Sequence, residues 1–297
     1  MKITVVGAGA LGTFYAAMLQ ASGHDVTLIC RERDVAALEN GISVTGAFDV
    51  HARPKVSAEP VSSDLVIVAV KSRDVPAAAE SLDLNPDGIA VFIHNGLGAD
   101  EAAAVILGPD RAATGISYSG ITFLAPGKVR ANGYAETVLG AADPKARARL
   151  NLPLAALATA GLQARVAEDI RAAQWEKLYA NVAIGAIAAL TGMTNGDILD
   201  VPELKALAGT IAREAAAVAA AEGIRTSVDP VEHAYHVMRN SSGNRSSMLQ
   251  DISRGRRTEI DSLNGKVSEY GRRHGIPTPA NDAVTALVKG IERRNGY

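Results

Sequence analysis

Three glycines spaced G-x-G-x-x-G, at Gly7, Gly9 and Gly12, constrain this chain more than any other feature. An apolar β-branched run, Ile3 to Val6, precedes them, and the apolar residues Leu11, Phe14, Tyr15, Met18 and Leu19 follow at helical spacing. The pattern reads as a strand, a tight turn and a helix. Gly7 allows the turn, Gly9 lets an anion approach the backbone, and Gly12 lets helix and strand pack closely. A pyrophosphate then meets unpaired N–H groups at the positive end of the helix. A second strand, Val26–Cys30, follows on schedule. Gly7, Ala8, Gly9, Ala10, Leu11 and Gly12 are therefore the expected phosphate cradle of a dinucleotide site, the alternative being a glycine-rich turn in some other α/β fold.

With 297 residues the chain exceeds a usual single core, which implies two domains. Its 47% hydrophobic and 21% charged residues describe an ordinary globular protein with a large core. A net charge of −2 gives no electrostatic case for nucleic acid or an anionic membrane. The single cysteine, Cys30, excludes an internal disulfide and a cysteine-cluster metal site, so no metal is expected. No apolar run reaches membrane-spanning length, and the glycine-broken start is a poor signal peptide, so a cytoplasmic location is expected.

The end of the second strand of such a unit reads the cofactor ribose: an acid binds the free 2′-hydroxyl, whereas a nearby arginine accommodates a 2′-phosphate. Here Cys30 is followed by Arg31-Glu32-Arg33, which favours NADPH/NADP over the dephospho form. The other reading leaves Arg31 in solvent and gives the ribose to Glu32. A helix over 34–40 is expected to stop at Gly41, with 42–45 and 48–56 forming a small antiparallel excursion. The run Asp64–Val70 is apolar enough for a strand buried on both faces, and Lys71 follows at its carboxyl end, where ligands of open α/β sheets lie. Ile89–Ile93 repeats the pattern and ends in His94-Asn95-Gly96, which places Asn95 one strand along from Lys71. Lys71 also reads as a solvated lysine, and Asn95-Gly96 as an ordinary loop. Residues 114–140 predict a hairpin at the sheet edge with turns at Ala125-Pro126-Gly127 and Asn132-Gly133. A helix over 144–160 and a short strand over 163–166 complete this part.

Beyond Asp169 the pattern is helical only, over about 170–192, 200–222, 229–239, 256–273 and 280–294. The fold class is thus α/β, a Rossmann-type mostly parallel sheet domain (1–168, dinucleotide-binding) followed by an all-helical domain (169–297, substrate-binding). On the first of these helices Lys177 and Asn181 share a face in an otherwise apolar segment, as expected of a helix buried at a two-domain interface. Desolvation lowers a lysine pKa and suits it to proton transfer. Snorkelling to solvent is the competing reading for Lys177, a helix cap for Ser247 and a surface carboxylate for Glu259.

The motifs together resemble the ketopantoate reductases. The resemblance is carried by G-x-G-x-x-G at 7–12, Val70-Lys71, His94-Asn95-Gly96, Trp175-x-Lys177-x-x-x-Asn181 and Asn195-Gly196, with Ser246-Ser247-Met248-Leu249-Gln250-Asp251 and Thr258-Glu259-Ile260-Asp261 after them. It covers nearly the whole chain. It implies NADPH-dependent reduction of 2-dehydropantoate to (R)-pantoate in pantothenate and coenzyme A biosynthesis, with hydride going to C2. By position, it makes Lys177 the proton donor and a substrate contact, and Asn181, Asn195 and Ser247 substrate-binding residues. Asn95 would lie where substrate and nicotinamide meet, with Arg31, Lys71, Ser119 and Glu259 on the cofactor side. The partner implied is a small 2-keto acid, and the resemblance leaves a homodimer open. Members of that family tend to carry a further asparagine one turn beyond Asn181, where this chain has Gly185. Gly185 therefore either leaves room and removes a substrate hydrogen bond, which points to another branched 2-keto acid, or permits close helix packing. A third reading is a protein that senses NADP(H) without chemistry.

Overall fold

The strand before the glycines, β1 (Lys2–Val6), lies inside a ten-stranded sheet. The others in chain order are β2 (Asp25–Ile29), β3 (Ile42–Gly46), β4 (Val50–Ala52), β5 (Lys55–Ser57), β6 (Ser63–Val68), β7 (Leu84–Ile93), β8 (Ala112–Ala125), β9 (Lys128–Gly140) and β10 (Ala164–Val166). Their spatial order is β4-β3-β9-β8-β7-β6-β1-β2-β5, with β10 beside β9. The run from β8 through β7, β6, β1 and β2 to β5 is parallel throughout. The computed structural model describes residues 1–297 and divides into two units: Met1–His94 with Gly98–Ile170, and Asn95–Leu97 with Arg171–Tyr297.

The period-two alternation of side chains makes β6 and β7 buried on both faces. Leu65, Ile67, Ile89 and Val91 join the core beneath α1 (Ala10–Ala21), whose Phe14, Tyr15 and Leu19 are fully buried. Val66, Val68, Ala90 and Phe92 point the other way, against α3 (Val75–Glu80) and α4 (Ala99–Leu107), while α2 (Glu32–Leu38) follows β2. The Tyr15 hydroxyl donates to Ser117 Oγ at 2.9 Å and lies 2.7 Å from Thr137 Oγ1, tying α1 to β8 and β9. Burial pushes its pKa far above that of a free phenol.

Several sequence expectations change. The β8–β9 hairpin is not at the sheet edge, because β9 also pairs with β3 and β10. Asn132-Gly133 is no turn; it lies within β9, where the pairing slips by one residue between Gly120 and Ile121. The turn is at Gly127, whose φ of +71° places it in the left-handed region. β5 pairs parallel with β2 instead of completing an antiparallel excursion. Residues 144–160 form two helices, α5 (Pro144–Ala148) and α6 (Asn151–Thr159).

The helical unit is built on α7 (Ile170–Thr191), surrounded by α8 (Asp197–Asp200), α9 (Pro202–Ala221), α10 (Pro230–Asn240), α11 (Ser247–Ser253), α12 (Asn264–His274) and α13 (Pro279–Arg294). From Leu178 to Ala189 every α7 residue but Asn181 is buried, packed in the core cluster of this unit. A buried polar chain fixes three helices around it. Asn264 Nδ2 donates to Val182 O at 3.1 Å and to Asn281 Oδ1 at 3.0 Å, and Glu214 accepts from the backbone N–H groups of Ala280 and Asn281 at 2.9 Å each. That carboxylate satisfies orphan donors at the start of α13. The helix expected over 256–273 starts only at Asn264. Gly255, at φ +56°, follows the end of α11, and Thr258 Oγ1 accepts the Ile260 N–H at 3.1 Å, so the segment between α11 and α12 takes a non-helical path.

Candidate active site

In the sheet unit the glycine turn is shaped as the spacing requires. Gly7 has φ +105°, and a Cβ there would stand 2.8 Å from Ala69 O and 2.9 Å from Val70 Cγ1. A Cβ on Gly12 would overlap the carbonyl oxygen of Gly7, so helix and turn fit only without it. A Cβ on Gly9 would meet nothing within 4 Å, which leaves open space over the start of α1, and no side chain caps that helix. Ala8, Ala10 and Leu11 line the same turn and are half-buried. The features of an anion cradle coincide here: exposed backbone, clear space and a helix N-terminus.

Arg31 is exposed and adopts the extended N-cap conformation of α2, just beyond β2. Lys71 is half-buried and takes the corresponding N-cap position of the short 3-10 turn Ser72–Asp74 beyond β6. Ser119 sits on β8 with its Oγ 2.7 Å from Ser117 Oγ, at the end of the hydrogen-bond chain from Tyr15. The sequence reading missed a buried group beside these loops. The His94 side chain is 1% exposed, with Nδ1 3.5 Å from Ser72 Oγ and Nε2 3.9 Å from Asp100, which also accepts from Thr114 Oγ1. It links the segments that follow β6 and β7.

The helical unit gathers the remaining candidates. Asn95 belongs to this unit, and its Nδ2 donates to Glu259 Oε2 at 3.2 Å. Lys177 is half-buried on α7; loss of water around its ammonium lowers the pKa from 10.5 to about 8, while the Glu259 carboxylate pulls it back up. Glu259, expected on the cofactor side, thus stands with Asn95 and acts on Lys177. One turn along α7 lies the half-buried Asn181. Asn195, 6% exposed, donates from Nδ2 to Ser241 Oγ at 2.8 Å, while its buried Oδ1 has no donor. Ser247 is exposed at the first position of α11; the cap is Ser246, whose Oγ accepts from Leu249 N at 3.1 Å. A Cβ at Gly185 would stand 3.4 Å from the Met248 methyl and 3.8 Å from its sulfur, so the thioether occupies the space that the missing side chain leaves. No group of His, Cys, Asp and Glu side chains is arranged to hold a metal, and no helix is long and apolar enough to cross a membrane.

Such an arrangement can hold a proton near neutral pH and release it to a developing oxyanion. Comparison with known proteins gives the family. Residues 3–144 match the family described as ketopantoate reductase PanE/ApbA, and residues 169–292 match ketopantoate reductase PanE/ApbA C terminal. The chain is similar to the 2-dehydropantoate 2-reductase of Archaeoglobus fulgidus, 30% identical over 98% of each chain. It is also similar to the solved structure of a PanE/ApbA family ketopantoate reductase from Ralstonia eutropha, with 32% identity, all of both chains covered and a TM-score of 0.91. A D-mandelate dehydrogenase solved with NADH and anilino(oxo)acetate shares the fold at a TM-score of 0.93 and 24% identity, again over all of both chains.

Glu259→Gln removes the charge that favours protonated Lys177, so the lysine midpoint should fall below about 8. Side-chain NMR titration of labelled lysine measures it, and an unchanged midpoint would exclude the coupling.

Proposed function

Given that the chain belongs to the ketopantoate reductase PanE/ApbA family and is an oxidoreductase, we propose that it reduces 2-dehydropantoate to (R)-pantoate with NADPH. The observation that carries this reading is the desolvated Lys177 ammonium, with the Asn181 amide one turn away and Glu259 acting on it. The glycine turn fits a dinucleotide pyrophosphate: Gly7 through Gly12 would hold it, and a side chain at Gly9 would fill the space it needs. Arg31 is the group for the 2′-phosphate, and Lys71 and Ser119 are proposed cofactor contacts.

When bound, the reduced dinucleotide supplies hydride to C2 of the keto acid. Negative charge then builds on the C2 oxygen, and Lys177 Nζ donates its proton there. A cation placed in advance beside that oxygen stabilises the transition state more than the ground state. Glu259 keeps the lysine loaded near neutral pH, against the desolvation that makes it acidic enough to give the proton up. Asn95, fixed on Glu259, presents its amide at the same place. Asn181 and Ser247 hold the substrate's carboxylate and hydroxyl groups, and the Oδ1 of Asn195, which has no donor in the protein, accepts from a substrate hydroxyl.

Gly185 against Met248 favours a second reading of the same class, another branched 2-keto acid, because the thioether gives that face an apolar wall. Turnover with NADPH on 2-dehydropantoate and on 2-ketoisovalerate, which lacks the 4-hydroxyl, separates the two. Specific use of the hydroxyl should give at least about a tenfold preference in kcat/KM. Equal efficiencies assign the second reading, and no oxidation of NADPH with either acid would leave a dinucleotide-binding sensor.

Lys177→Ala should lower kcat by about a hundredfold or more while NADPH binding by fluorescence titration stays within about twofold. In the unmodified enzyme kcat should decline as pH rises through about 8, where the lysine loses its proton. Arg31→Ala should raise KM for NADPH about tenfold and leave KM for NADH unchanged, since only the former carries the phosphate. Equal effects on both cofactors would rule out phosphate recognition by Arg31.

A further inference from the structure

The carboxylate of Glu292 is buried in the helical unit, 5% exposed, and the mechanism above gives it no part. It lies in the last turn of α13 and accepts two short hydrogen bonds on one oxygen, from the backbone N–H and the Oγ1 of Thr258, each 2.6 Å. Thr258 immediately precedes Glu259, and its hydroxyl in turn accepts the Ile260 N–H. The same helix grips the same segment elsewhere. Tyr297, whose N–H donates to Glu292 O at 3.0 Å, donates from its hydroxyl to Gly255 O at 2.6 Å, and Lys289 pairs with Asp261. Beyond Glu259 the segment is held by Ser262 and Leu263, whose N–H groups donate to Glu259 O at 3.1 Å each, and Ser262 O accepts from Leu97 N at 3.2 Å.

A segment that is not helical between α11 and α12 has no backbone ladder to fix its side chains, so its conformation depends on such outside contacts. Two charge-assisted bonds from a carboxylate that water does not reach are the strongest of them. We propose that Glu292 is a positioning residue: by holding Thr258 from α13, it sets where the Glu259 carboxylate stands beside Lys177 and Asn95. The charged side chains on this segment and on α13 beside it include Arg254, Arg256, Arg257, Asp261 and Lys289; Arg257 and Lys289, about half-exposed, both pair with Asp261. Released from Glu292, Glu259 draws back and Lys177 holds its proton less firmly. The consequence for turnover rests on Lys177 being the proton donor, while the consequence for Lys177's own titration does not.

The test titrates Lys177 by NMR in protein labelled at lysine Cε and Nζ, the resonance being assigned by its loss in Lys177→Met. In Glu292→Ala the midpoint should fall by about half a pH unit or more, in the direction of Glu259→Gln. Glu292→Gln, which keeps an oxygen for Thr258, should restore most of it. In Glu292→Ala, kcat at neutral pH should fall about fivefold with KM for NADPH within about twofold, a split that loosened cofactor binding does not produce. Thr258→Val keeps the volume and the backbone bond but removes the hydroxyl, and should move the midpoint the same way even if Glu292→Ala does not fold. An unchanged Lys177 midpoint in folded Glu292→Ala, or in Thr258→Val should the alanine variant not fold, overturns the proposal. If the midpoint moves but the unmodified protein turns over no 2-keto acid, the positioning role stands and the proton-donor reading falls.

Discussion

An ammonium drawn partly out of water and a carboxylate that compensates it are the interaction on which the site in the helical unit depends. Burial alone drives Lys177 toward the neutral amine, which could not stabilise an oxyanion; a fully hydrated lysine would hold its proton too tightly to give it up. The balance of the two, a pKa of about 8, lies between these limits. It requires that Glu259 approach from a part of the chain far from α7 and be held there. The non-helical path of 254–263, the bond to Asn95 and the grip of Glu292 on Thr258 all serve that requirement.

The sheet unit meets a different constraint, the close approach of backbone to backbone. Gly12 has no room for a Cβ beside the Gly7 carbonyl, and Gly7 itself needs a left-handed conformation next to Ala69 and Val70. Around that turn the parallel strands bury both faces. The positions that present Arg31 and Lys71 just past the ends of β2 and β6 follow from strand direction alone. Tyr15 adds a polar tie inside an otherwise apolar core, and its bonds to Ser117 and Thr137 offset the cost of burying a hydroxyl.

Gly185 shows how packing changes the meaning of a small residue. Read from the sequence, it is equally a gap on the substrate face or a place for a neighbour to come close. Met248 lies in ordinary van der Waals contact with the position of its absent Cβ, so a neighbour and not open space stands there. The same contact makes that side of α7 apolar, so what began as a missing amide becomes a feature that bears on which keto acid fits.

The sequence by itself determined what depends on neighbours along the chain. The β1 turn and α1, the doubly buried β6 and β7, the all-helical character beyond residue 169 and the pairing of Lys177 with Asn181 on one face all follow from periodicities of two and 3.6. The family was legible because its motifs are local strings. Only the tertiary structure decided what depends on partners far apart. Asn95 meets Glu259 across 164 positions, Thr258 meets Glu292 across 34, and β9 is interior because β3 and β10 come to lie beside it. Hydrogen bonds and desolvation act over a few ångströms of space regardless of sequence separation, so no local pattern in the sequence encodes them.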